Sequence, residues 1–565
     1  MKFSEYLYER PDLEKLKADA ATLFREMKET QSALSFENAV DEFIEMVKHV
    51  ESMATLVQVR HSINTKDEYY EKENDWWDDN MPYFEELNMQ YYKILMASPH
   101  LKAIQEKYPK TYFQLIDIYL KTFDPKIIQE LQEENKLVTS YNRLIASAQI
   151  PYDGKVLNLA QMRPYTESAD RKVRKEATEA YWGFFKENEK QLDEICDKLV
   201  KLRDKIAKKL GFNNFIELGY CRMRRLDYNK DMVAGYRKQI LDEVVPLASK
   251  LYKRQAKRIG VDKLKYFDMN LNYLDGNAAP KGSFDDTIAS GRQMYHELSE
   301  ETGEFIDFMM NNELMDLIAK PGKESGGYMT YIPDYQSPFI FANFNGTSGD
   351  VDVLTHEAGH AFQGYLSRHI TIPEVMMPTH ESCEIHSMSM EFITWPFMEK
   401  FFGDKADKYR FAHLGDALEF LPYGVLVDHY QHEVYANPEM TPDERKETWR
   451  RLDKMYRPHL DFDDNEFAEK GTWWLRQGHI FQMPFYYIDY TLAQVCAFQF
   501  WKRIHVDHDP KAWSDYLAIC KVGGTQSFLE IVKTAGLISP FEDGCLKSVV
   551  GEIDKWLESI DDTKL

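Results

Sequence analysis

The chain has 565 residues, 44% of them hydrophobic, 29% charged and 14% aromatic, a composition that excludes disordered and fibrous classes and can bury an ample core. Its length suits several average domains or one large two-lobed enzyme. With 70 basic against 93 acidic residues the formal charge is −23, which repels nucleic acid and anionic membrane surfaces, so neither is an expected partner.

The six cysteines, Cys196, Cys221, Cys383, Cys496, Cys520 and Cys545, form no close pair, the pattern of reduced thiols in a cytoplasmic protein. The first ten residues carry no apolar run of signal-peptide length, and no stretch approaches the length of a membrane span. From the start to about residue 260 apolar residues recur at helical spacing among Glu, Lys and Gln. Leu192, Ile195, Leu199 and Leu202 make one such stripe, with Gly211 placed to end the helix. The basic run from Arg171 to Lys175 reads as a solvated helix face.

Between about 262 and 350 Gly and Pro become more frequent. The runs 328–332 (YMTYI) and 338–344 (PFIFANF) predict two strands, with Asn345-Gly346 as the turn after the second. Such a strand either supports the helix after it or offers its edge to an extended peptide. From 351 onward the helical pattern returns, broken near Pro373, Pro378, Pro438 and Pro442 and by the segment 461–465. The helical start and the motif-bearing remainder divide as an N-terminal helical lobe, 1–200, and a catalytic region, 201–565, with interleaved lobes.

The most informative residues are HEAGH, 356–360. On a helix, His356 and His360 lie one turn apart on one face, so both imidazoles can hold one metal ion. Glu357 stands beside the first histidine, where its carboxylate can take a proton from metal-bound water. Gly359 sits inside that helix at a cost of about 1 kcal/mol relative to alanine, which implies a close neighbour.

A catalytic zinc takes three protein ligands and keeps one position open. Extension of the motif to a third histidine is excluded, because Gln363 and Leu366 occupy the positions it needs. The following helix, MPTHESCEIHSMSMEF, offers Glu381, Glu384 and Glu391. Glu384 is the expected ligand, with Glu391, two turns on along nearly the same face, as the group that orients one. His380, His386 and Cys383 are expected to line the pocket or pack. His429 and His432 read as a packed or surface pair.

The runs SPFIFANFNGT, DVLTHEAGHAFQ and HESCEIHSMSMEF resemble the catalytic core of the thimet oligopeptidase and oligoendopeptidase F family of zinc metallopeptidases. DLIAKPGKESGGY at 316–328, YQHEVYANPEMTPDERKETW at 430–449 and RDKIAKKLGFNNFIELGYCRMRR at 203–225 are similar to its oligoendopeptidase F branch, Pz-peptidases included. The resemblance covers roughly residues 170 to 530.

The resemblance implies a mainly α, bilobed zincin-type metallopeptidase with a small β-sheet beside the active site and a deep substrate channel. It also implies one Zn2+ per chain on His356, His360 and Glu384, with Glu357 as general base on zinc-bound water. Its substrates would be short peptides, cut at internal bonds. A later histidine and tyrosines that close over the substrate map onto His479, Tyr486 and Tyr490. One extra residue, with Pro484 inside, separates histidine from tyrosines relative to the usual spacing, so Tyr487 is an alternative. Neither oligomeric state nor subsite preference is readable in the sequence.

Overall fold

The computed structural model describes residues 1–320, 322–324 and 326–565. Pro321 and Ser325, both within the DLIAKPGKESGGY segment, lie outside the described residues. Helices dominate, and the strands form two small sheets. One is a hairpin of β1 (Ile150–Tyr152) and β2 (Lys155–Leu157), inside the stretch that periodicity reads as helical. Its turn, Asp153-Gly154, has both residues at positive φ, 50° and 69°, the geometry that matches the twist of paired strands. The Asp-Gly pair was the local signal that competed with the helical pattern.

By its internal contacts the chain divides into two compact units. The first comprises residues 1–120, 279–406 and 496–537, and the second 121–278, 407–495 and 538–565. Residues 1–200 are thus shared between them.

In the first unit, helices Leu13–Glu29, Ala33–Ile63 and Glu68–Ala97 start at the side-chain caps Asp12, Ser32 and Asp67, each of which satisfies backbone N–H groups that a helix start leaves unbonded. Their apolar faces close on Leu23, Phe24, Phe36, Phe43, Tyr91 and Leu95, and the same cluster takes in Ile372 and Val375. Tyr92 adds a hydrogen bond to Glu374 Oε1 at 2.6 Å. The N-terminal helices therefore anchor the segment that leads into the second half of the HEAGH region.

The second sheet also belongs to this unit. β5 (Ser337–Phe344) is central, parallel to β3 (Met315–Ile318) and antiparallel to β4 (Tyr328–Ile332). Buried along nearly its whole length, β5 reads as a continuous apolar run rather than an alternating one. It leads through Asn345-Gly346 into helix α1 (Gly349–Leu366). Asp350 fixes that turn by accepting from the N–H groups of Asn345 and Gly346, at 2.9 and 2.7 Å.

Helix α2 (His380–Ile393) packs across α1 at Gly359. A Cβ there would fall 2.7 Å from both His386 O and Ser387 Cα, closer than any side chain allows. The glycine inside HEAGH is thus explained by backbone-to-backbone packing. Behind α2, Tyr516 donates to His386 O at 2.8 Å and the buried His386 Nε2 bonds Ile519 O at 3.2 Å. Burial pushes the His386 pKa down to about 4, so its neutral imidazole donates that bond.

In the second unit the stripe Leu192, Ile195, Leu199 and Leu202 is buried and Gly211 ends its helix at φ 92°. The Arg171–Lys175 run departs from a purely solvated face. Arg174 is buried, and Arg171 and Arg174 each place a guanidinium nitrogen 2.7 Å from the fully buried Asp268. His429 and His432 are bonded to Tyr456 OH and to Tyr220 OH at 3.0 and 2.9 Å, a packed pair.

Gly359→Ala forces the two helices apart and is expected to lower unfolding free energy by about 1–3 kcal/mol, measured by denaturant titration; unchanged stability would mean that α2 can shift freely. Burial raises the Asp268 carboxyl, but bonds from Arg171, Lys265 N and Arg174 outweigh it and hold its pKa below the ordinary value. Its stabilisation is therefore present at neutral pH and lost as pH falls below about 4, toward the depressed folded value. Asp268→Asn should cost about 3 kcal/mol at pH 7 and progressively less in acid.

Candidate metal centre and active site

Helices α1 and α2 bring three ligating atoms together. The groups of His356, His360 and Glu384 offer atoms that all lie within 4.8 Å of one another. Glu384 Oε2 is 3.3 Å from His356 Nε2 and 3.7 Å from His360 Nε2. Two ligands at tetrahedral angles on a zinc ion, each about 2.0–2.1 Å from it, would stand about 3.4 Å apart, so the trio has the right span. The rings of His356 and His360 are 5.0 Å apart at 84°.

Glu391 lies beyond them on α2 and its Oε1 is 2.6 Å from His356 Nδ1. That bond turns the Nε2 lone pair of His356 toward Glu384 and the shared centre. Ser387 Oγ donates to Glu384 Oε2 at 3.1 Å, fixing the carboxylate. The side chains keep 25%, 12% and 9% of their exposure for His356, His360 and Glu384, so the cluster is walled in but open on the His356 side.

Electrostatics favour a cation here. Burial drives the His360 pKa down to about 4, leaving a neutral ligand. Glu384 would rise with burial, but its bond to His356 and the nearby His360 pull it down to about 2. His356 would fall with burial, yet hydrogen bonds to Glu384 and Glu391 lift it well above the usual imidazole range. The proton on His356 partly offsets the carboxylates around it, and a divalent cation held by the trio would supply that positive charge in its place. The donor set of two imidazoles and one carboxylate matches zinc.

Glu357 is nearly buried beside this centre. Burial, reinforced by the charges of Glu384 and Glu391 and opposed by His356, pushes its pKa up to about 7. Gly327, just before β4, faces it: a Cβ there would lie 3.9 Å from Glu357 Oε1 and 3.3 Å from Phe341 O. The start of an edge strand therefore runs beside the candidate base. The sequence carried a signal for this in the Gly326-Gly327 pair ahead of the strand.

His479, Tyr486, Tyr487 and Tyr490 form a separate cluster in the second unit. The His479 ring centroid is 5.8, 4.9 and 6.2 Å from Tyr486, Tyr487 and Tyr490. Tyr423 OH donates to Gln477 Oε1 at 2.7 Å, so the amide nitrogen faces His479 Nδ1 at 2.8 Å. With Nδ1 accepting and burial lowering its pKa, His479 is neutral and carries its proton on Nε2.

Two buried arginines, absent from the sequence-based site, hold this segment. Arg203 bonds Glu134 Oε1 and Phe481 O, both at 2.6 Å. Arg225 bonds Phe485 O at 2.5 Å and Asp489 Oδ1 at 3.0 Å. Between them Phe485 adopts φ 69°, a left-handed conformation strained for a bulky residue. Its ring packs against Gly219, where a Cβ would come within 2.6 Å of it. Pro484 and Phe485 thus make the turn that joins the helix of His479 to the helix that carries Tyr487 and Tyr490.

Among the described residues no helix is long and apolar enough to cross a membrane. The profile of the peptidase M3 N-terminal domain matches residues 3–123 and that of peptidase family M3 matches residues 164–550. The chain is 25% identical over 432 residues to the oligoendopeptidase F homolog of Borreliella burgdorferi, covering 72% of this chain and 70% of that protein. It is 22% identical over 393 residues to the group B oligopeptidase PepB of Streptococcus agalactiae, covering 66% and 61%. A solved structure of Pz peptidase A with an inhibitor matches with a TM-score of 0.92 and 53% identity over the whole of both chains. A structure described as an oligoendopeptidase F from Bacillus anthracis str. Ames matches at 0.89 and 50% identity, over 100% of this chain and 99% of that one. With the family profile covering well over half of its length and a two-histidine, one-glutamate centre on α1 and α2, the chain belongs to peptidase family M3 and is a metalloendopeptidase.

Proposed function

We propose that the protein is a zinc-dependent oligopeptidase that cuts internal bonds of short peptides, with His356, His360 and Glu384 holding one zinc ion per chain and Glu357 acting as general base. The observation that carries this reading is the convergence of the three ligating atoms beside a buried carboxyl lifted toward neutrality. The zinc, when bound, supplies a Lewis acid that polarises the scissile carbonyl and acidifies the attacking water.

Glu357 takes the proton from that water and later delivers it to the leaving amide nitrogen. A carboxyl that starts near pH 7, and is lowered from there by a neighbouring cation, can do both. Glu391 holds His356 in the tautomer that presents Nε2. The glycine beside Glu357 lets an extended substrate backbone run along β4, pairing with its edge. On the family resemblance, the Nε2–H of His479 and the hydroxyls of Tyr486 and Tyr490 donate to the oxyanion that forms at the cut carbonyl. Tyr487, whose ring is also beside His479 and packs against Phe420 and Tyr423, stays the alternative donor. All six cysteines are free thiols, in keeping with a cytoplasmic setting and peptide substrates found there.

Glu357→Gln should lower kcat on a short internally cleaved peptide by at least about a hundredfold, the size expected for loss of a general base, while metal content stays at one per chain. Near-normal turnover, or turnover that survives chelation, would refute the mechanism. Glu391→Gln leaves the ligands in place but removes the charged partner of His356, so zinc affinity should fall by about 10- to 100-fold in a chelator competition. An unaltered affinity would show that Glu391 does not orient the ligand.

A further inference from the structure

A cavity of about 580 Å³ opens inside the second unit, walled in part by Tyr181, Trp182, Tyr423 and Trp473. Two of its three lining arginines are held by carboxylates. Arg163 is paired with Glu167 Oε1 at 2.6 Å, and Arg457 with Asp453 Oδ1 at 2.7 Å. Burial, with Asp416 adding to the effect, pushes the Glu419 carboxyl pKa well up, and Tyr252 is its hydrogen-bond partner. Arg476 remains as a cation with no carboxylate at ion-pair distance among the described residues, although its side chain opens onto the cavity.

The surroundings hold that cation in place without neutralising it. Its guanidinium carbon lies 5.0 Å from the Trp473 ring and 5.9 Å from Trp182, a ledge on which a guanidinium stacks while its in-plane N–H groups stay available. The phenols of Tyr181 and Tyr423 lie close enough to act on its charge, but a guanidinium fork has more N–H groups than two phenols can engage. The loop carrying the cavity residues Tyr266 and Met269 is fixed by Asp268 in its grip by Arg171 and Arg174.

Arg476 is also adjacent to the substrate-facing residues of the proposed function. Tyr423, beside it in the wall, donates to Gln477, and Gln477 donates to His479.

We propose that this cavity is a peptide subsite in which Arg476 receives a carboxylate of the substrate, with the tryptophans and tyrosines covering the apolar part of the same residue. The inference rests on the oligopeptidase reading. An uncompensated guanidinium in an aromatic cavity favours a planar anion, which it binds through two parallel N–H bonds, over a neutral amide of the same shape. The carboxylate can be a free C-terminus or an acidic side chain, and the chemistry is the same.

The test uses the full-length, metal-loaded protein and three versions of one short peptide: free C-terminal acid, C-terminal amide, and the amide with one glutamate near that end. KM and kcat are measured for the wild type, R476Q and R476K. At least one carboxylate-bearing peptide should show a KM about tenfold below the neutral amide, the size expected for one charge-assisted bond. That ratio should approach one in R476Q and be partly kept in R476K. Which peptide discriminates identifies the source of the carboxylate. Equal KM values for all three peptides in the wild type, or a ratio that survives in R476Q, overturns the subsite while leaving the peptidase reading intact. Absent or chelator-insensitive cleavage of all three overturns that reading and the subsite with it.

Discussion

The contact on which the site depends is one without a side chain. At Gly359 the backbone of α1 meets the backbone of α2 near His386 and Ser387, and only that closeness lets a carboxylate from α2 reach two imidazoles on α1. One turn of helix sets His356 against His360, and the third atom comes from outside α1, from Glu384 on α2. The distance from α1 to Glu384 is set by interhelical packing, and packed helices seldom approach this closely without glycine. The supports behind α2 serve the same end: Tyr516 and His386 tie it to helix Ala512–Val522 through buried hydrogen bonds, and Glu374 ties the preceding segment to Tyr92.

The second unit solves a comparable problem by other means. Its histidine lies on the short helix Gly478–Gln482 and Tyr490 on the helix Tyr487–His505, joined through an irregular turn that carries Tyr486 and that helical hydrogen bonds cannot fix. Buried guanidinium groups take over that task, Arg203 gripping the carbonyl of Phe481 and Arg225 that of Phe485. Such charges are costly to bury, and each is matched by a carboxylate, Glu134 or Asp489. Arg476 differs from both: it is exposed to the cavity, and no carboxylate among the described residues pairs with it.

How much of this was legible in the sequence depends on the range of each interaction. The HEAGH helix, the strand before it and the choice of Glu384 and Glu391 rest on periods of 3.6 and 2 within about forty residues, and the sequence carries those directly. The glycine announced a close neighbour without saying which. The burial of Arg174 was not legible, because its partner Asp268 is 94 residues away and a basic run looks the same whether one member turns inward or all face water. The bond from Arg225 to Phe485 spans 260 residues, and the positive φ it stabilises has no residue-type signature, since phenylalanine rarely adopts it. The hairpin at Ile150–Leu157 was hidden for a different reason: two three-residue strands are too short to disturb a helical periodicity, and only Asp153-Gly154 marked them.

The central claim is that two imidazoles and one carboxylate, with no sulfur, hold the metal. X-ray absorption at the zinc edge of the metal-loaded protein tests it most directly. The account predicts nitrogen and oxygen neighbours at about 2.0–2.2 Å, two of them imidazole, and loss of the bound zinc in Glu384→Ala. A sulfur neighbour at about 2.3 Å, which would draw in Cys383, or a third imidazole in place of the carboxylate, would contradict it.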